Sequence, residues 1–266
     1  MNKIIFPIKN KQHYYDLHYK YVLNLFQYCN SEIEYQDLPE INETAFYCYF
    51  EGKKIIFDFS DNGNSVNENS FYPVFKFHYR NEHKIYTNIF PFVPISFYDW
   101  KQYNELEKNI EYKAAGNILY NQRAYGNAIA RRQRVKNILQ GLNVDFDIGD
   151  QLIYWNKINN CLLSVHVPGQ NNNMIDRAQL QLMAFGCVTI SPVLREVFPY
   201  YRGLYQPFQT YILCKDDYPD LIKIIDYYTN YDNEILKIIS KNAKAMFKES
   251  CTPENLIYWI KECLKI

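Results

Sequence analysis

Arginine side chains and a polar, asparagine-rich loop are the groups of this sequence that are best suited to binding phosphate. Arg123 follows a β-type run at 117–121, and the polar loop follows an apolar run at 161–167. Arg177 lies one helical turn into the helix-like run 174–185 that comes after the loop. A guanidinium matches the oxygens of phosphate, and the free N–H groups at a helix N-terminus favour anions. The two arginines and the loop therefore predict a diphosphate site.

The loop also has an interpretation without a ligand. Every strand–loop–helix unit contains such a connection, and an arginine in the helix behind it can be an ordinary solvent-exposed side chain. Arg132 and Arg134 lie within a helix-like run and favour an exposed basic face. Arg123 lies in a strand-to-helix loop, which is where α/β proteins bind ligands. The loop residues of the predicted site are Gly169, Gln170, Asn171, Asn172 and Asn173.

A few side chains could act as a general base. Asp58 and Asp61 follow the apolar run 55–57, and His78 lies in an alternating, strand-like segment. A carboxylate or an imidazole can accept the proton of a reacting hydroxyl, although an aspartate at a strand end can equally cap a turn. His166 is a further candidate at the end of a buried-looking strand, where a hydrogen-bonded core histidine is the alternative.

Composition excludes several classes of function. The 29 Lys and Arg residues balance 29 Asp and Glu residues, which argues against a protein that binds nucleic acid. HExxH, GxSxG, P-loop and GxGxxG motifs are absent, and no spacing predicts a metal site. The seven cysteines have no paired spacing, which indicates reduced thiols. No apolar run suits a signal peptide or a transmembrane span, so we expect a cytoplasmic protein.

The second half of the chain alternates strand-like and helix-like segments, which predicts a parallel α/β sheet. The segment 161–192 contains strand, polar loop, helix, Gly186 and strand in that order, as in one βαβ unit. A strong helix is predicted at 124–140, and Thr252-Pro253 introduces the last predicted helix. The first half mixes strands with helices, at 13–28 and at 101–113, and is richer in β-type segments.

Two stretches resemble a known family. The sequence RAQLQLMAFGCVTISP at 177–192 resembles the donor-binding segment of GT-B glycosyltransferases, in which a helix with an arginine and an acidic residue runs into a glycine turn and a strand. The sequence NILYNQRAYGNAIARRQRVKNIL at 117–139 resembles the first strand and helix of their second domain. The helical tail is similar as well. The resemblance covers about residues 115–266.

The resemblance implies an α/β fold of the GT-B type, with two Rossmann-like domains facing a cleft and a small, β-rich N-terminal one. Residues 1–114 would then form an acceptor-side domain, and residues 115–252 a donor-binding domain for the nucleotide-sugar. Residues 253–266 would form a C-terminal helix that crosses back to the N-terminal domain.

The resemblance also implies an activity, the transfer of a sugar from a nucleotide-sugar to an acceptor hydroxyl of a glycan, a small molecule or a protein. No metal and no separate cofactor would be needed. The donor would contact Arg123, the loop 169–173, Arg177 and Gln181, with His166 nearby, and Asp58, Asp61 or His78 would be the base. Gln181 stands where the family often has an acidic residue. The alternatives are a non-catalytic nucleotide- or sugar-binding protein of the same fold and a nucleotide-sugar epimerase.

Overall fold

A computed structural model of the chain describes residues 2–8, 16–39, 41–42, 44–60, 71–77, 79, 81–92, 110–122, 128–147, 151–168, 177–193 and 206–266. Within these residues the chain forms seven α-helices and two β-sheets, which confirms the predicted α/β class. The chain divides into two compact units. The first unit contains Met1–Trp100 with Thr252–Ile266, and the second contains Lys101–Cys251.

A mixed six-stranded sheet forms the centre of the first unit, with strand order β2-β1-β3-β4-β5-β6. Strand β3 is antiparallel to both of its neighbours, and the other pairs are parallel. Glu51 and Gly52 turn the β3–β4 hairpin with φ of 50° and 75°, the left-handed conformation that such tight turns require. The strands are β1 Lys3–Pro7, β2 Glu32–Gln36, β3 Ala45–Phe50, β4 Lys53–Asp58, β5 Val74–Lys76 and β6 Ile89–Pro91.

Two helices, α1 (Asp16–Tyr28) and α7 (Pro253–Leu264), pack against each other in the first unit. Thr252 caps the N-terminus of α7, and its hydroxyl accepts a hydrogen bond from the Asn255 N–H. Lys53 Nζ donates to the Leu264 carbonyl at 2.7 Å and holds the other end of α7. The C-terminal segment is therefore part of the first unit's fold.

The second unit contains a parallel five-stranded sheet with strand order β11-β10-β9-β7-β8. Its strands are β7 Ala114–Asn121, β8 Val144–Asp147, β9 Cys161–Val165, β10 Val188–Ser191 and β11 Ile212–Leu213. Its described helices are α2 Ala128–Leu139, α3 Gln151–Asn160, α4 Arg177–Ala184, α5 Leu221–Asn230 and α6 Asn233–Ser250. The parallel sheet predicted for the second half is confirmed.

The core of the second unit explains why these segments fold as they do. Val135 and Leu139 of α2 and Leu221 and Ile225 of α5 pack in one apolar cluster with the sheet strands. Helix α4 is buried between the sheet and α6, and every residue from 179 to 184 is buried. A helix that is buried on all sides is stabilised by packing rather than by an amphipathic stripe.

Candidate functional site

The strand order of the second unit defines where a ligand would bind. From β7 the chain moves to β8 on one side, whereas β9, β10 and β11 follow on the other side. The carboxyl ends of β7 and β9 therefore flank a topological switch point. Ligands of open α/β sheets bind in the crevice outside the strand ends at such a point. Asn121 and residues 165–168 form the described part of this edge.

Several residues of the predicted site fall outside the described part of the chain. Arg177 begins α4, but the structure describes only its backbone. Of the predicted donor and base residues, the described side chains are those of His166, Gln181 and Asp58. The residues outside the description are Asp61, His78, Arg123, Gly169, Gln170, Asn171, Asn172 and Asn173.

Three consecutive backbone carbonyls follow β9, and each accepts a hydrogen bond from a side chain of another element. The donors come from α2 and from the turn before α5. Arginines of α2 thus contact the entry to the predicted phosphate loop. The bonds are Tyr218 Oη to His166 O at 2.9 Å, Arg132 Nη2 to Val167 O at 3.4 Å and Arg131 Nη2 to Pro168 O at 3.5 Å.

The arginines of α2 thus divide into two groups. Arg134 is exposed and pairs with Asp217 at 2.8 Å, in agreement with an exposed basic face. Arg132 contacts the end of β9 instead, so the same interpretation was wrong for this residue. The sequence could not separate them, because residues two positions apart on a helix point in different directions.

Two buried polar atoms near this edge have no hydrogen-bond partner within the described chain. They are Ser191 Oγ, at the end of β10, and Arg132 Nε. Ser191 is fully buried, and the His166 N–H donates to Ile190 O at 2.9 Å, which places Ser191 beside His166. An unpaired buried polar group costs free energy unless a partner binds it. Sequence reasoning missed Ser191, which looked like the last residue of an apolar strand.

Gln181 lies inside the buried helix α4 with 4% of its surface exposed. Its neighbour Gln179 donates from Nε2 to Thr189 Oγ1 at 2.6 Å and joins the helix to β10. A carboxylate at position 181 would carry a charge into this interior at a larger desolvation cost than an amide. The burial gives a physical reason for an amide rather than a carboxylate at this position.

Asp58 takes part in a buried hydrogen-bond network at the carboxyl ends of β4 and β5. Its Oδ2 pairs with Lys76 Nζ at 3.1 Å, and its Oδ1 accepts from Ser60 N at 2.9 Å and Ser60 Oγ at 2.7 Å. Lys76 Nζ also donates to the Ser60 carbonyl at 2.7 Å. Both carboxylate oxygens are thus occupied, and the geometry is that of a structural ion pair. To act as a base, Asp58 would have to break this network.

His18 is a titratable side chain of the first unit that sequence reasoning missed. It lies in the first turn of α1 and stacks on Phe59, with ring centroids 4.8 Å apart. Its ring is 5.4 Å from that of Phe77. Because Phe59 and Phe77 directly follow β4 and β5, His18 lies at their carboxyl edge. The sequence could have indicated this position, because His18 belongs to the predicted helix at 13–28 that follows the first strand.

The described cysteine thiols are poor candidates for a nucleophile or a metal ligand. Burial raises the pKa of Cys161 to about 11 and the pKa of Cys214 to about 12. Both thiols are therefore protonated near neutral pH, whereas the thiolate is the nucleophile and the metal ligand. Among the residues the structure describes, no three His, Cys, Asp or Glu side chains are grouped closely enough to hold a metal ion.

No described helix is long and apolar enough to cross a membrane.

Searches against protein-family models and against curated proteins gave no match to this chain. The candidate site is therefore inferred from the strand order of the second unit and from the residues that follow its strands in the sequence.

Proposed function

We propose that this protein is a nucleotide-sugar-dependent glycosyltransferase that binds its donor at the carboxyl edge of the second unit's parallel sheet. The observation that carries the proposal is the position of the switch point between β7 and β9. The segments that follow these two strands in the sequence contain Arg123 and residues 169–173, within the part of the chain, about residues 115–266, that resembles the GT-B family. Folds of this kind favour a ligand site at this edge of the sheet.

The charges near this edge suit a diphosphate leaving group. In the proposed reaction the acceptor oxygen bonds to the anomeric carbon, and the bond from that carbon to the diphosphate oxygen breaks. The electron pair goes to the diphosphate. Arg123 and Arg177, with the N-terminus of α4, would stabilise the developing negative charge. Arg131 and Arg132 add positive charge beside the end of β9.

If the reaction inverts the sugar configuration, a base must also accept the proton of the acceptor hydroxyl. Asp58 is poorly suited to this role, because Lys76 and Ser60 hold both of its carboxylate oxygens. Asp61 and His78 remain candidates for the same role. A reaction with retention would need only diphosphate stabilisation and a well-placed acceptor, whose hydroxyl proton the leaving diphosphate oxygen accepts.

The proposal is tested with a panel of UDP-, GDP-, ADP- and TDP-sugars, each incubated with a mixture of glycan and small-molecule acceptors. We expect at least one donor to release its nucleoside diphosphate only when an acceptor is present. Arg123→Ala and Arg177→Ala should weaken donor binding about tenfold or more. Arg134→Ala, an exposed arginine of α2, is the matched control and should leave it unchanged. Absence of turnover with every donor would refute the proposal, whether or not a nucleotide binds.

A non-catalytic nucleotide- or sugar-binding protein of the same fold is the second candidate. It is favoured by the neutral, buried Gln181 and by the buried ion pair that engages Asp58. Nucleotide binding without release of diphosphate from any donor would support it. Conversion of a nucleotide-sugar to its epimer without an acceptor would instead indicate an epimerase.

A further inference from the structure

Strand β2 is an edge strand of the first unit's sheet, and its backbone is open on one side. It pairs in parallel with β1, and no other strand of the described chain pairs with it. The Glu32 N–H donates to the residue before β1 at 2.7 Å, and the Gln36 carbonyl accepts from the residue after β1 at 2.8 Å. Because alternate residues of a strand bond to the same neighbour, the N–H and C=O groups of Ile33 and Tyr35 point away from β1.

The side chains of β2 divide between its two faces. Glu32 and Glu34 lie on one face, whereas Ile33 and Tyr35 lie on the other, because side chains alternate along a strand. Both glutamates are exposed, and Tyr35 has 49% of its surface exposed. A chain that paired with this edge would therefore place its alternate side chains beside two carboxylates on one face and beside a tyrosine ring on the other.

The charge around this edge is negative. Residues 21–52 include six Asp or Glu residues and no Lys, Arg or His, although the charges of the whole chain balance. Glu34 accepts a hydrogen bond from Gln36 at 2.8 Å and lies 3.4 Å from Lys3 Nζ, and these contacts lower the pKa of its carboxyl. Glu32 forms no ion pair within the part of the chain that the structure describes. The open edge therefore carries negative charge that favours a basic partner.

We propose that β2 is a docking edge for an extended segment of another protein that carries lysine or arginine at alternate positions. The segment adds a strand to the sheet through the outward backbone groups of Ile33 and Tyr35, which is the geometry of β-strand addition. Its basic side chains pair with Glu32 and Glu34 across the new ladder. The proposal is independent of the nucleotide proposed for the second unit.

A second copy of this chain suits the same edge less well. In an antiparallel pairing of two β2 strands, a two-fold axis at residue 34 sets the two copies of Glu34 opposite each other, and an axis at residue 33 sets Glu32 opposite Glu34. Like charges that are directly opposite destabilise a strand pair. Charged side chains on an edge strand are a common protection against such self-pairing. The acidic residues therefore favour a basic partner over self-association.

The test uses the full chain and a short fluorescent peptide in which lysine and valine alternate, with binding measured by anisotropy at low salt concentration. We expect saturable binding, which a glutamate–valine peptide of the same length should not show. The lysine–valine peptide with an N-methylated backbone should bind about tenfold or more weakly, because strand addition needs backbone donors. The lysine–valine peptide should also slow hydrogen exchange in residues 32–36 and leave exchange in β7 unchanged.

Variants of the full chain separate strand addition from general charge attraction. Ile33→Pro removes an outward N–H and places the proline ring in the path of an added strand, while the bonds to β1 remain. It should raise the Kd of the lysine–valine peptide about tenfold or more. Glu32→Lys should raise this Kd about three- to tenfold. Glu262→Lys, the same charge change at an exposed residue of α7, is the matched control and should leave the Kd nearly unchanged.

Each outcome decides the proposal. No binding of the lysine–valine peptide, equal binding of the glutamate–valine peptide, or an equal rise in Kd in Glu32→Lys and Glu262→Lys overturns it. An unchanged Kd in a folded Ile33→Pro variant also overturns it. If Ile33→Pro does not fold, equal affinity of the N-methylated and unmodified peptides overturns it. A wild-type dimer in sedimentation that Ile33→Pro dissociates would show that a second copy occupies the edge, which overturns the choice of partner.

Discussion

A single glycine shows how tightly the second unit is packed. Gly186 ends α4 with a φ of 65°, and an added Cβ would lie 2.9 Å from Ile110 Cγ1 and 3.0 Å from Ser240 Oγ. Both the backbone conformation and the space therefore require glycine at this position. The sequence predicted a glycine stop after the helix. It could not predict the close approach of Ile110, which is distant along the chain.

Gly186→Ala should destabilise the protein more than Gly141→Ala. Gly141 also has a positive φ, of 92°, but nothing lies within 4 Å of its added Cβ. The Gly141 variant should lose about 1 kcal/mol of unfolding free energy from backbone strain alone. The Gly186 variant should lose a further 1–3 kcal/mol, roughly the cost of overpacking. Urea denaturation measures the loss of unfolding free energy in both variants. Equal losses would contradict the close packing of Ile110 and Ser240 against Gly186.

Asp58 illustrates what the sequence could and could not predict at the level of a residue. Its position at the end of a strand was read from the apolar run before it, and β4 ends there. Its partner Lys76 could not be predicted, because the pairing of β4 with β5 in register brings the two side chains together. Whether a charged residue at a strand end has an ion-pair partner therefore depends on strand register. The hydrophobic pattern of a short strand does not fix that register.

The order of helices and strands was easier to predict from the sequence than the contacts between them. The order of strand, loop, helix and strand over 161–192 corresponds to β9, α4 and β10. By contrast, the short β-type run at 85–87 forms no strand, because the 3-10 helix Asn81–Ile85 extends into it. A short apolar run cannot by itself distinguish a strand from a helical turn. The burial of α4 on all sides was also not predictable, because α6 covers its outer face.

Lys113 joins the ends of several elements at the amino edge of the second unit's sheet. It is 5% exposed and donates from Nζ to the carbonyls of Ile158 at 3.1 Å, Cys161 at 3.3 Å and Phe185. Ile158 belongs to the last turn of α3, and Phe185 directly follows α4. A cation at these helix C-termini is favoured by the helix dipole as well as by hydrogen bonding.

Lys113→Met should lower the free energy of unfolding by on the order of 2–3 kcal/mol, because it leaves buried carbonyls without their charged donor. Lys241→Met is the control. Lys241 is exposed and lies 3.4 Å from Glu111, and a surface pair of this kind contributes less than about 1 kcal/mol. Thermal and urea unfolding provide the comparison. Similar losses for the two variants would contradict the role of Lys113.

At the scale of the whole molecule, the chain is an α/β protein whose last helix belongs to its first unit. Strand and helix alternation was sufficient to predict the class of the second half, because parallel strands need crossover helices. The strand order and the mixed sheet of the first unit could not be derived, since both depend on long-range pairing. The resemblance to GT-B enzymes supplied the proposed activity, which the fold alone does not imply.

Deletion of residues 252–266 should unfold the first unit selectively. The deletion removes the buried side chains of Leu256, Ile257 and Ile260 and the bonds from Lys53 to Leu264 and from Trp259 to Pro91. Amide exchange in β1, β3 and β4 should then accelerate strongly, while β7 and β9 keep their protection. A chain lacking only Ile266, which is 46% exposed, is the control. Intact protection of β1 after the longer deletion would show that α7 is dispensable.

The central claim is that a nucleotide binds at the carboxyl ends of β7 and β9. Hydrogen exchange of the full chain, measured without nucleotide and with saturating UDP, GDP or ADP, tests it most directly. We predict that at least one nucleotide slows exchange in peptides covering 119–122 and 164–168 and leaves the amino end of β7 unchanged. Protection confined to the first unit, or no protection by any of the three nucleotides, would contradict the claim.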